Sequence, residues 1–209
     1  MAELRPVALP PSERTIGQVV AESIRIYGEH FWQLLPLGLV VVGVDAATLH
    51  RSLGVQTLIL WSFAPLFAGA YVRATTVVRN EPWRWAAFWA GLMVFLPFPV
   101  LLRLYILPGL AWFGLLGLAV PAAVAEGLGV RDALRRGWQL ARADSVHAVA
   151  GLVTLGLVYF VSRYALLVLI HGFGGQGQTG AAMIADLVLA PLVFVGAVLL
   201  YEDQAARVE

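Results

Sequence analysis

Cysteine is absent from this 209-residue chain, and so is lysine: all fourteen basic residues are arginine. Without cysteine there are no disulfides, no thiolate metal sites and no cysteine nucleophile. Charge is scarce as well. Charged residues make up 13% of the chain and hydrophobic residues 60%, against about 25% and about 45–50% in soluble domains. With a mean hydropathy of +0.80, this composition excludes a soluble globular protein. The net charge of +1 gives no general attraction to nucleic acid. Histidine is rare and scattered, at His30, His50, His147 and His171. No pair has the spacing of a helical zinc motif, so neither a metal nor another cofactor is expected.

What the chain has in place of charge is long apolar runs. A spanning helix needs roughly 20 mostly apolar residues, and six stretches qualify: 32–50, 54–77, 85–105, 107–125, 146–170 and 181–201. The sequence predicts an all-α integral membrane protein of six transmembrane helices, with residues 1–14 as a flexible tail and 15–209 as a single membrane domain. Its length leaves no room for a separate catalytic domain. Pro97 and Pro99 fall inside the third stretch, and proline there removes backbone donors, so a kink or two half-helices are expected. Arginine counts set the orientation. With the N-terminus in the cytoplasm, eleven arginines lie inside, and Arg51, Arg103 and Arg163 lie outside. Both termini are therefore predicted to be cytoplasmic, in a bacterial inner membrane.

Two stretches outside the runs are amphipathic, and both are predicted to lie at the membrane interface. In the first, "TIGQVVAESIRIYGEHFW", Thr15 and Gln18 have capping-box spacing. Gln18, Glu22, Arg25 and Glu29 share one face, while Ile16, Val19, Val20, Ile24 and Tyr27 share the other. The second, from Val130 to Arg142, alternates with helical period between Val130, Ala133, Leu134, Gly137, Trp138 and Ala141 and a face rich in arginine. Asp132 in its first turn and Arg142 in its last suit the helix dipole. Such a helix lies at the headgroup layer with arginines toward phosphates and water, which makes membrane lipids the expected partner. Gly127 and Gly129 allow the chain to turn before it, bringing Arg135 or Arg136 to the Glu126 carboxylate as a structural clamp. Arg131 and Arg142 would then stay free for lipid phosphates.

The stretch "LPGLAWFGLLGLAVPAAVAEGLGVRDALRRGWQLARAD" resembles the membrane-domain family of glycerophosphoryl diester phosphodiesterases, in its stand-alone six-helix form. The residues that carry the likeness are Pro108-Gly109, Trp112, Pro121, Glu126-Gly127, Ala133-Leu134-Arg135-Arg136 and Trp138-Gln139-Leu140. The opening "RTIGQVVAESIRIYGEHFWQLL" and the ending "LLYEDQAARVE" are similar to the family's first helices and last span. Gly137 departs from it, because the family commonly has serine there. The resemblance implies architecture. Hydrolysis in the barrel-bearing relatives belongs to a soluble barrel with its own histidines and metal-binding carboxylates, and no catalytic residue carries over to this chain.

The residues themselves offer little chemistry. "HGFGGQGQTG" imitates a phosphate-binding loop but has Gln178 where lysine is needed, so a flexible glycine-rich turn is expected and no nucleotide. Asp144, Ser145 and His147 are neighbours in sequence, which is not the geometry of a triad. What remains is a set of ionisable residues inside the spans, functional candidates because burying charge in a membrane is costly. Asp45, Arg103, Arg163 and Asp186 are expected to converge in the outer leaflet, with Arg51 and His171 at its boundary. Mutual neutralisation that holds the bundle is favoured over a polar cavity that binds a small anion or relays protons. The reading from sequence is a non-enzymatic membrane protein in an accessory or scaffold role in lipid or envelope homeostasis, with a membrane-protein partner. A small transporter or carrier subunit using the Asp/Arg cluster is the alternative.

Overall fold

The computed structural model describes residues 10–104, 106–170 and 174–208, and all its regular structure is helical. We number the helices α1 (Ile16–Glu29), α2 (Phe31–Thr48), α3 (Leu53–Arg79), α4 (Trp85–Phe95), α5 (Phe98–Leu104), α6 (Ile106–Leu116), α7 (Ala119–Ala125), α8 (Val130–Ala143), α9 (Ser145–Leu169) and α10 (Gly174–Val208). Five segments are long and apolar enough to cross a membrane: α2, α3, Pro108–Ala125, α9 and Gly177–Val208. The stretch Trp85–Leu101 is apolar but shorter.

That stretch is shorter because it breaks at the expected place. Helix α4 stops at Phe95, and α5 restarts after Pro97. Backbone groups freed inside an apolar layer must find partners within the protein, and two tryptophans supply them. The Trp61 indole donates to the Leu96 carbonyl at 2.7 Å and the Trp112 indole to the Val94 carbonyl at 2.9 Å.

Helix α10 is the axis of the bundle. It packs against α1, α2, α3, α8 and α9, and Val195, Ala197, Val198, Leu199 and Leu200 along it are buried. Tyr71 of α3 is fully buried beside it, its ring 6.0 Å from Phe194 and 6.3 Å from both Phe95 and Phe113. Helix α2 comes so close to α10 that a side chain at Gly38 would collide with the Leu187 backbone. This approach sets the α2 residues that follow Gly38 beside Asp186.

Helix α1 forms as its sequence indicates. The Thr15 hydroxyl accepts from the Gln18 amide, and the Gln18 side chain accepts from the Thr15 amide. Val19, Ser23 and Tyr27, at i, i+4 and i+8, are its buried stripe, while Ile24 faces outward. The expected tail over residues 1–14 lies outside the described residues as far as residue 9. Beyond that it is docked: Pro11–Glu13 form a 3-10 turn against α10, and Arg14 reaches Asp203 at 3.5 Å.

Two boundaries differ from the sequence reading. The last span, expected over 181–201, belongs to a helix running from Gly174 to Val208. The glycine-rich segment is therefore helical from Gly174 onward, although each glycine costs a helix about 1 kcal/mol. Adding one residue to an existing helix gains a hydrogen bond for each residue fixed, and the apolar run that follows provides that helix. His171 lies outside the described residues.

Candidate functional site

At the end of the bundle where α2 and α9 stop and α10 begins, Arg163 of α9 joins two carboxylates from two other helices. Its Nε donates to Asp186 Oδ1 at 2.8 Å and its Nη2 to Asp186 Oδ2 at 3.2 Å, a bidentate pair across α9 and α10. The same Nη2 donates to Asp45 Oδ2 of α2 at 2.6 Å. Tyr159, one turn before Arg163 on α9, donates its hydroxyl to Asp186 Oδ1. Asp186 is 0% exposed, whereas the Arg163 and Asp45 side chains are 27% and 34% exposed. Asp186 lies twelve residues into α10, about 18 Å along its axis, and this deep anchor fixes the arginine.

Asp45 and Arg163 open onto a cavity of about 450 Å³. Thr48, His50 and Gln56 line it from the α2–α3 side, Leu167 from α9, and Gln178, Thr179 and Met183 from α10. Of the four residues expected to converge, Asp45, Arg163 and Asp186 do so, and Asp186 sits behind the cavity wall. Arg103 does not join them. It is exposed near the end of α5, which packs on α3, α4 and α6, and it forms no ion pair among the described residues. Once Pro97 splits the third stretch, the half-helix that carries Arg103 lies against that side of the bundle. Arg51 is exposed outside the cavity.

The opposite end carries the expected clamp. Arg136 Nε donates to Glu126 Oε1 at 2.9 Å, and the Tyr201 hydroxyl donates to the same oxygen at 2.9 Å. Gly127, with φ of +69°, makes the turn between them. Of the two arginines named for the role, Arg136 fills it and Arg135 points outward. Helix α8 buries Ala133, Gly137, Leu140 and Ala141 against α4, α6, α7 and α10. Its apolar face thus rests largely on protein, where the sequence pattern indicates acyl chains. Trp138 remains 41% exposed, with the Arg142 guanidinium 5.6 Å above its ring.

Further pairs at this end escape a sequence reading. Arg79 meets Glu202 at 3.0 Å, and Arg207 meets Asp144 at 3.3 Å. The Arg207 guanidinium also donates to the Arg14 carbonyl. Their only signal in sequence is the run of polar residues closing an otherwise apolar last helix. Among the described residues no three His, Asp or Glu side chains are grouped to hold a metal ion. Comparison with protein-family models, with curated proteins and with solved structures finds no match for this chain.

Proposed function

We propose that the chain is a six-span membrane protein, not itself an enzyme, that binds a small solute in the Asp45–Arg163 cavity as a carrier or solute-binding subunit. One observation carries this reading. Two ionisable side chains from apolar segments, Asp45 and Arg163, face an open cavity of about 450 Å³, within the range of small-molecule sites. An ionisable side chain inside a bilayer is costly, which makes it a functional-site candidate by default. In this reading α4 and α5 together make the sixth crossing. With Leu96 and Pro97 between them they cover residues 85–104, which reach about 30 Å if counted as helix. The eleven-to-three arginine distribution supports cytoplasmic termini, and in that orientation the cavity opens outward.

A second reading, an accessory or scaffold role in lipid or envelope homeostasis, draws on the way Arg163 staples three helices together. The resemblance to the phosphodiesterase membrane domain suits either reading.

The absence of cysteine makes the test direct. A single Ala182→Cys, on the cavity wall, should react with a membrane-impermeant maleimide applied to intact cells. Ala206→Cys, in the groove beside Glu126, should react only after permeabilisation. The reverse pattern overturns the orientation. If Ala182→Cys fails to react even in permeabilised cells, the cavity is closed and the scaffold reading stands instead.

A further inference from the structure

Resting on the cavity reading, we propose that the solute is a small monocationic amine held at the Asp45 carboxylate. The first argument is a count of charge. Among the described residues lining the cavity or joined to its wall there are one guanidinium and two carboxylates, with the Tyr159 hydroxyl and the His50 ring beside them. Asp186, fully buried, takes two donors from Arg163 and the hydroxyl of Tyr159. Arg163 is thereby committed to Asp186, and Asp45 shares only its Nη2. One guanidinium cannot balance two carboxylates, so the ionised site needs a second positive charge at Asp45. A charge left uncompensated in an apolar setting draws an opposite one.

The same count disfavours an anion. An anion would need Arg163, which already donates to both carboxylates, and it would sit against the Asp45 carboxylate. The arginines that could have reversed the balance, Arg51 and Arg103, lie outside the cavity.

The second argument is the lining. Besides Asp45 the walls carry Leu49, Leu167 and Met183 on one hand and Gln56, Gln178 and Thr179 on the other. A calcium or magnesium ion demands about six or more oxygen ligands at short range. This space is far larger than an ion, and Asp45 is the one carboxylate among the described residues that line it. An ammonium group with a short hydrocarbon body matches both halves of the lining: its N–H donors meet Asp45, and its carbon chain rests on Leu49, Leu167 and Met183. An incoming ammonium can take the place of Arg163 Nη2 on Asp45 while Arg163 keeps its two bonds to Asp186, so the site accepts the cation without releasing a buried charge.

The experiment uses the full chain with Ala182→Cys and three probes of one skeleton: butylammonium, butyrate and butanol. Labelling without a probe reports whether the cavity is open, and protection reports what enters it. At ten times its dissociation constant, butylammonium should slow labelling about tenfold, while butyrate and butanol leave it unchanged. Adding Asp45→Asn should abolish protection but not labelling, Asp45→Glu should restore it, and Arg51→Gln should behave as the parent. Protection by butyrate, by all three probes equally or by none, with labelling intact, overturns the amine and leaves the cavity standing. So does protection that survives Asp45→Asn. Failure to label without any probe overturns the cavity reading itself.

Discussion

Replacing Glu126 by glutamine keeps the side chain's size and removes its charge, which isolates the clamp on α8. In the parent, Glu126 Oε1 accepts from Arg136 and from Tyr201, both at 2.9 Å. The ion pair is 25% and 31% exposed on its two sides, so water screens part of it, and about 1 kcal/mol is a fair worth. The Tyr201 bond to a charged acceptor adds about 1.5–3 kcal/mol, of which glutamine keeps the neutral share. Glu126→Gln should therefore cost about 1–2 kcal/mol and Glu126→Ala about 2–4. Arg136→Ala should resemble Glu126→Gln, and Tyr201→Phe should cost about 1. Arg135 and Arg131 point away from the carboxylate, so Arg135→Ala and Arg131→Ala should stay within about 0.5 kcal/mol of the parent. The assay is thermal unfolding of purified protein in one detergent, with the double variant Glu126→Gln/Arg136→Ala closing a cycle. A coupling near zero refutes the clamp, as does an Arg135→Ala variant that melts below Arg136→Ala.

Three more substitutions probe contacts that hold the bundle. A side chain at Gly137 would meet the Ala119 backbone nitrogen at 2.6 Å, so Gly137→Ser should destabilise by about 1–3 kcal/mol through overpacking, read by the same thermal assay. A serine that is neutral or stabilising would show that α7 and α8 can part at no cost. Trp61→Phe and Trp112→Phe each leave a carbonyl of the Pro97 break unpaired, and each should cost about 1–3 kcal/mol. If both melt like the parent, water or lipid already reaches the break.

The helices are legible in the sequence wherever hydrophobicity alone decides. The apolar runs become α2, α3, α9 and α10, the prolines of "FLPFPV" become the α4–α5 break, and the Thr15–Gln18 spacing becomes the cap of α1. Legibility fails where packing between distant segments decides. Nothing near Tyr201-Glu202-Asp203-Gln204 in the sequence shows that these residues continue an apolar helix. They do so because Arg79 pairs with Glu202 across 123 positions and Arg14 pairs with Asp203 across 189. The pattern of α8 shows which face is apolar but not that α4, α6, α7 and α10 cover it. Gly137 fits that cover: α7 comes too close at Ala119 for a larger residue.

The site was half legible for a related reason. Asp45, Arg163 and Asp186 stand out because each is an ionisable residue in an apolar run, and Tyr159 could have been added, since it lies four residues before Arg163 on the same helical face. Arg103 carries the same signal, yet its half-helix packs elsewhere, and hydropathy holds no information about which helices are neighbours. The two ends of the bundle then differ in a way that only the packed structure exposes. At the clamp end Arg14, Arg79, Arg136 and Arg207 each pair with a carboxylate, on Asp203, Glu202, Glu126 and Asp144 respectively. Such pairing is expected of charges that serve stability. At the cavity end one arginine faces two aspartates, one of them fully buried. A bundle held only by salt bridges gains nothing from a second carboxylate that its arginine cannot neutralise. Departures from the rules of stability concentrate where a protein works, and the second carboxylate at Asp45, beside open space, is such a departure.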